Sequence, residues 1–242
     1  MSLPHNRQRA IITGASSGIG KATAITFAKA GIELILISRS LEKLDVVASD
    51  ILSLGAKATV IPLDLSKLES LSSQMEKTAK EFGPIDILVN NAGIAYTNPL
   101  QETTLEDWQQ VININLTSVF QCVQGILPEM RKRKAGSIIN VASIAAKIPF
   151  PGWGAYCVSK AALATYAQVL AAEERNNGIR VTTVFSGAVS TPIWDTDTVK
   201  VELDRSKMLS AETVAESILQ TVLLPPEAVI EELTLMPSAG AL

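Results

Sequence analysis

Histidine is all but missing from this chain: His5, in a polar leader, is the only one among 242 residues. Acid–base chemistry in the body of the protein therefore has to rest on something other than imidazole, the usual group for that work near neutral pH. Cysteine is nearly as scarce. Cys122 and Cys157 are the only two, they form no metal-ligand spacing, and they read as reduced thiols in a cytoplasm. No apolar run approaches the roughly 20 residues of a membrane span. Met1 to Arg9 also lacks the apolar centre of a secretory signal. Positive charge is not in excess, and a net charge of −3 argues against a nucleic-acid partner. The one basic run, Arg131-Lys132-Arg133-Lys134 before Gly136, reads as a solvated helix end favoured by the helix dipole. Repeats, linkers and low-complexity tracts are absent too, so residues 1–242 read as one domain. Apolar residues, by contrast, are plentiful: 47% of the chain, with a mean hydropathy of +0.26. A parallel sheet covered on both faces explains part of this. Buried contacts between subunits would account for the rest.

Tyrosine and lysine stand in for the missing imidazole. Tyr156 and Lys160 are four apart in Ala155-Tyr156-Cys157-Val158-Ser159-Lys160-Ala161, a stretch with strong helix formers, so they share one helix face. A nearby ammonium favours phenolate and lowers the tyrosine pKa from about 10. Ser143 lies 13 residues upstream, after an apolar run. Each residue also has an ordinary reading, the pair as solvated helix neighbours and the serine as a turn hydroxyl bonding its own backbone. A cofactor site elsewhere in the chain is needed to raise them above that.

The N-terminal region supplies one. Arg9-Ala10-Ile11-Ile12 reads as a strand, Thr13-Gly14-Ala15-Ser16-Ser17-Gly18-Ile19-Gly20 as a glycine turn, and Lys21 to Ala30 as a helix closed by Gly31. Strand, glycine turn and helix N-terminus make a cradle for a dinucleotide pyrophosphate, with the turn glycines permitting close backbone approach. Gly14, Ser16, Ser17, Gly18, Ile19 and Gly20 are its candidate contacts. The alternative of a P-loop fails, because Ala22 follows Lys21 where Ser or Thr should hold magnesium.

Further strands are expected at 33–37, 57–61, 85–89, 137–141 and 179–184, with helical segments at about 40–54, 67–82, 105–133 and 154–177. Such alternation gives a parallel sheet with right-handed crossovers and ligands at the carboxyl ends of its strands. Gly14, Arg39, Asp64, Asn90, Ser143 and Gly187 all follow predicted strands and so fall on one edge.

The end of the second strand selects the cofactor. NAD sites usually place a carboxylate about 20 residues beyond the glycine turn. Here the strand ends Ile37-Ser38-Arg39-Ser40, with no acid between Glu33 and Glu42. Arg39 with Ser38 and Ser40 offers a positive fork and hydroxyls to a 2′-phosphate. The reading is NADP(H), against an ordinary surface arginine.

Taken together, Thr13-Gly14-x-x-x-Gly18-x-Gly20, Asn90-Asn91-Ala92-Gly93, Asn115, Ser143 and Tyr156-x-x-x-Lys160 resemble the short-chain dehydrogenase/reductase family in order and spacing, over roughly residues 9–192. The resemblance implies a Rossmann-like, doubly wound α/β domain with a mostly parallel seven-stranded sheet and helices on both faces. It implies that Ser143 holds a substrate carbonyl and that Tyr156 is the proton donor. Lys160 would bind the nicotinamide ribose and lower the tyrosine pKa, and Asn115 would help hold a water linking the lysine to solvent. Asn91, Ala92 and Gly93 would lie against the cofactor, as would Asp64 and Leu65 at the adenine and Gly187, Val189 and Thr191 beyond the sixth strand. Asp64 reads equally as a helix cap. Two departures stand out: Ser186-Gly187 replaces the family's usual Pro-Gly, and the tail from Leu223 to Pro237 loosely resembles the 3-hydroxy acid dehydrogenase branch.

The expected activity is NADP(H)-dependent interconversion of a ketone or aldehyde and its alcohol, with no metal. The rivals are a 3-oxoacyl-[acyl-carrier-protein] reductase and a catalytically idle NADP-binding or sensor protein. Ile94, Tyr96, Ile144, Phe150, Trp153 and Trp194, with Ser143, are the candidate substrate pocket. The charged segment 187–208 is expected to cover it, anchored by Ile193 and Trp194, unless it is simply a surface helix. A homotetramer is expected, or failing that a dimer, since family members commonly pair through the helices at 105–133 and 154–177.

Overall fold

The structure, a computed structural model, describes residues 8–201 and 204–240. His5 and Glu202, both noted in the sequence, lie outside the described residues.

Seven strands form one sheet in the order β3-β2-β1-β4-β5-β6-β7, and every described pairing in it is parallel. The strands are β1 (Arg9–Thr13), β2 (Glu33–Ser38), β3 (Ala58–Pro62), β4 (Ile87–Asn90), β5 (Gly136–Val141), β6 (Ile179–Ser186) and β7 (Glu232–Leu235). Their apolar runs suit a sheet buried on both faces. The connecting helices are α1 (Gly18–Lys29), α2 (Leu41–Ser53), α3 (Leu68–Phe82), α4 (Leu105–Ile112), α5 (Ser118–Arg133), α6 (Gly154–Glu174) and α7 (Ala211–Val222). One core joins α1, α2 and α7 to the sheet through residues such as Ile12, Phe27, Leu36 and Ile218. The other joins α3, α5 and α6 through Ile11, Met75, Ile126 and Leu163. Strand order reverses between β1 and β4, the crevice where open sheets of this kind bind ligands.

Three local expectations are revised. The segment 105–133 is not one helix: it breaks at a π turn, Asn113–Thr117, between α4 and α5. Asn115, wholly buried in that turn, has a poor helix former's reason to be there. Its Oδ1 accepts from Ile94 N at 2.8 Å, and its Nδ2 donates to Ile94 O at 2.9 Å and Ser159 Oγ at 3.0 Å. The fourth strand begins at Ile87, just after Asp86, whose carboxylate accepts from Arg9 N and Arg133. The basic run is not a merely solvated helix end. Arg131 forms a two-pronged pair with the fully buried Glu174 of α6, and Arg133 bonds Asp86 and the Ile85 carbonyl. Lys134 ends α5 in the left-handed conformation, φ 51°.

The segment 187–208 holds two short 3₁₀ turns, Pro192–Asp195 and Arg205–Lys207, rather than a helix. Val189 pairs with Leu209 at its base. Its middle is tied to the loop after β4: Thr97 N donates to Thr198 O at 2.8 Å, and Thr198 Oγ1 to Ala95 O at 2.7 Å.

Candidate active site

The glycine turn is shaped by what surrounds it. Gly14 and Gly18 have φ of +65° and +52°, which glycine adopts without strain. A side chain at Gly20 would run into the Gly14 carbonyl and the Asn91 amide. Asn91 pins the turn to β4, its Nδ2 donating to Thr13 O at 3.0 Å, while Thr13 Oγ1 accepts from the backbone N–H groups of Asn91 and Ala92. Ser17, the N-cap residue of α1, makes no side-chain cap bond and no acid lies in the first turn, so among the described residues no side chain offsets the helix's positive end at the crevice.

A cavity of about 600 Å³ opens above this edge of the sheet. Its wall contains Gly14, Ser16, Ser17, Gly18 and Ile19 from the turn. The ends of β2 and β3 contribute Ser38, Arg39, Ser40, Asp64 and Leu65, and the end of β4 contributes Asn91, Ala92, Gly93 and Ile94. On the other side stand Ser143, Ile144, Phe150, Trp153, Tyr156 and Lys160. Gly187, Val189, Thr191, Ile193 and Trp194 close it from the segment after β6. Three residues expected at the site are off the wall. Gly20 packs behind the turn, and Asn115 lies beneath the Ile94 backbone. Tyr96 turns away into a small cluster with Val111 and Ala155, its hydroxyl bonded to Asp107 Oδ2 at 3.1 Å, so it is no part of the pocket.

Charge is concentrated at one end. Arg39 is exposed on the cavity wall and forms no ion pair among the described residues; its positive field helps hold the Asp64 carboxyl below its ordinary range. The main cause of that lowering is the backbone N–H of Ser66, which bonds Asp64 Oδ1 at 3.0 Å. Asp64 thus forms a local turn, while the N-cap of α3 is Lys67. Ser40 caps α2 by accepting from Lys43 N. Lys43 itself lines the cavity as a second cation, a residue the sequence pattern did not single out. In the first turn of a helix a lysine opposes the dipole, and that misplaced charge was the only available signal.

At the other end, Ser143 begins a short 3₁₀ turn and accepts from Ala145 N at 3.1 Å. Burial pushes the Tyr156 phenol above its ordinary pKa, and the hydrogen bond from Ser143 pulls it back in part. Lys160 is buried and brought down to about 8 by desolvation. Its Nζ lies 5.8 Å from the Tyr156 ring centre and donates to Val141 O at 2.9 Å. The expected lowering of the phenol by the ammonium is therefore not seen in the protein alone: burial sets the direction, and Ser143, not Lys160, is what opposes it. Gly93 has to be small here, since a Cβ would stand 3.2 Å from Asn115 Oδ1 and 3.4 Å from Lys160 Nζ. Ser186, where the family has proline, continues β6 opposite Leu235, and a Cβ on Gly187 would press on Pro237.

Comparison with known proteins agrees with this architecture. An uncharacterized oxidoreductase of Staphylococcus saprophyticus is 33% identical over 241 residues, 96% of each chain. A 3-oxoacyl-[acyl-carrier-protein] reductase of Synechocystis is 35% identical over 189 residues, 78% of this chain and 76% of the relative. An alcohol dehydrogenase from the archaeon Thermococcus sibiricus, solved with 5-hydroxy-NADP, superposes with a TM-score of 0.87 at 28% identity, covering 96% of this chain and 97% of that one. A metagenomic short-chain oxidoreductase in complex with NADP gives 0.84 at 28% identity, with the same coverage. The short chain dehydrogenase family model matches residues 8–201, a span running from the first strand past the glycine turn, Ser143, Tyr156 and Lys160. With sheet order, cavity and sequence in agreement, this chain belongs to the short-chain dehydrogenase/reductase family.

Proposed function

We propose that the protein is an NADP(H)-dependent oxidoreductase that interconverts a ketone or aldehyde and its alcohol. The observation carrying this reading is one cavity with two unlike ends: Arg39 and Lys43 near the end of β2, and Ser143, Tyr156 and Lys160 across from them. The N–H groups of α1 suit a pyrophosphate, and Arg39, in no ion pair among the described residues, suits a 2′-phosphate. Asp64 Oδ2 is left for the adenine amino group, and Lys160 for a ribose hydroxyl. Bound NADPH supplies a hydride to the carbonyl carbon. Ser143 and Tyr156 hydrogen-bond the carbonyl oxygen and polarise it, and Tyr156 gives its proton to the oxygen as negative charge develops there. Lys160 holds its place through Val141 and serves as the nearest cation to the resulting phenolate. Asn115 positions rather than touches: it fixes the Ile94 backbone over the site. Loss of NADPH absorbance with simple ketones and 3-oxoacyl thioesters, and its gain from NADP+ with 3-hydroxy acids, tests this, and turnover of none of them rejects it.

A second reading, 3-oxoacyl-[acyl-carrier-protein] reductase, is favoured by the Synechocystis relative. The same panel separates the two.

A further inference from the structure

Resting on that reading, we infer that the substrate is a compact, uncharged, ring-bearing ketone or its alcohol, and not a keto acid or a carrier-bound acyl chain. Among the described residues on the cavity wall the charged side chains are Arg39, Lys43, Asp64 and Lys160. The first three belong to the ends of β2 and β3 and the start of α2, and Lys160 is turned to the Val141 carbonyl beneath Tyr156. The half of the cavity beyond Tyr156 therefore offers no cation to a carboxylate. An ionised carboxylate placed there loses its hydration without a partner.

What that half offers is rings. Tyr156, Trp153 and Trp194 form a ladder of edge-to-face contacts, 5.6 Å and 5.9 Å between centres with interplanar angles of 66° and 73°. The polar edge of Trp194 is already occupied, since Nε1 donates to Val189 O at 2.7 Å. Its remaining surface is apolar and, with Phe150 and Ile144, suits a flat aromatic or alicyclic body. Beyond the ladder, Thr196 and Thr198 also line the cavity, and Thr198 is tied by hydroxyl and carbonyl to Ala95 and Thr97. Lys200 N adds a bond to Thr97 Oγ1 at 2.8 Å. Held by these bonds, the segment is a fixed part of the wall that a long acyl arm would have to pass. The neutral amide of Gln110 and the indole N–H of Trp153 are uncommitted polar groups on this wall among the described residues, and neither carries a charge.

The test compares acetophenone, 4-acetylbenzoate and the N-acetylcysteamine thioester of acetoacetate as substrates of the full chain with NADPH. The kcat/KM for acetophenone should exceed that for each of the others roughly tenfold or more. Trp194→Leu, which keeps the wall apolar but removes a ring, should raise the KM for acetophenone and shrink that ratio. Equal or better turnover of the carboxylate or the thioester overturns the substrate class while leaving the reductase reading in place. Turnover of none of the three, or of any other carbonyl compound, overturns both.

Discussion

Lys160 Nζ donates to the main-chain carbonyl of Val141 at 2.9 Å, so the buried ammonium is anchored to the sheet and not to the Tyr156 phenol. With desolvation bringing its pKa to about 8 from an ordinary 10.5, this lysine is a destabilising group below that pH. The folded protein holds its proton less tightly than the unfolded chain does. Stability contributed by the site should therefore rise as pH goes from about 8 to about 10.5 and be flat outside that window. Lys160→Met, which removes the buried charge but also the bond to Val141 O, should be more stable than the parent by up to about 3 kcal/mol at neutral pH. That advantage should disappear above about pH 10.5. Denaturant unfolding of both proteins across pH checks it; a variant less stable than the parent at neutral pH would sink the idea. Weaker NADPH binding by the same variant is expected, since the ribose contact goes with the amine.

Tyr156→Phe should abolish nearly all ketone reduction, by a factor of about 10² to 10⁴, while NADPH affinity stays close to the parent value. In the proposed mechanism the phenol acts on substrate, and its removal leaves the glycine turn and Arg39 untouched. In the parent, a phenol held above its ordinary pKa stays protonated through neutral pH. Reduction should accordingly show no loss between about pH 6 and about pH 8, whereas alcohol oxidation, which needs the phenolate, should quicken with alkali. An oxidation rate that falls as pH rises contradicts the assignment.

The two cations at the end of β2 predict cofactor choice. NADPH should bind better than NADH by about 2 kcal/mol, near thirtyfold. Arg39→Ala should remove most of that preference, and Lys43→Ala a smaller part, because its ammonium is a strongly hydrated point charge without a guanidinium's planar fork. Fluorescence titration of both cofactors measures the ratios, and an unchanged preference in Arg39→Ala would move the phosphate site elsewhere.

Much of the fold was legible because its signals are local. The glycine turn between β1 and α1, the apolar strands and the alternation with helices can each be read within a dozen residues. What escaped depends on partners far along the chain. Arg131 looks like a solvated helix end until α6 brings Glu174, 43 residues away, against it. Tyr96 looks like a pocket aromatic until its hydroxyl finds Asp107 and turns the ring from the cavity. The π turn follows from Asn115 needing three partners at once, none of them adjacent in sequence. Lys43 was hidden by resembling any exposed lysine.

The Arg131–Glu174 pair gives a stability prediction independent of catalysis. Glu174 is fully buried while half the Arg131 side chain is open to water. Arg131→Ala strands the carboxylate and should cost about 3 kcal/mol; Glu174→Gln, which keeps the bond to Asn177 with a neutral group, should cost less. Chemical denaturation with NADPH-free protein measures both, and equal small effects would mark the pair as ornamental.

The last expectation is assembly. Phe120 of α5 and Val158 and Val169 of α6 are 39%, 44% and 52% exposed, and the Phe120 ring packs edge-on to Tyr166 at 6.2 Å. A monomer would leave these apolar groups of two neighbouring helices in water, and contiguous patches of that kind usually mark an interface. Pairing through this face would produce a two-fold dimer, and a second pairing elsewhere a tetramer. The tetramer is the expected state, with the dimer as its building unit. Light scattering at micromolar concentration should then report a particle of four 25.8 kDa chains. Phe120→Glu with Val169→Lys should drive it to smaller species while each chain keeps its far-ultraviolet circular dichroism. Detection of a 25.8 kDa particle alone in the parent protein would leave the exposed face without this explanation.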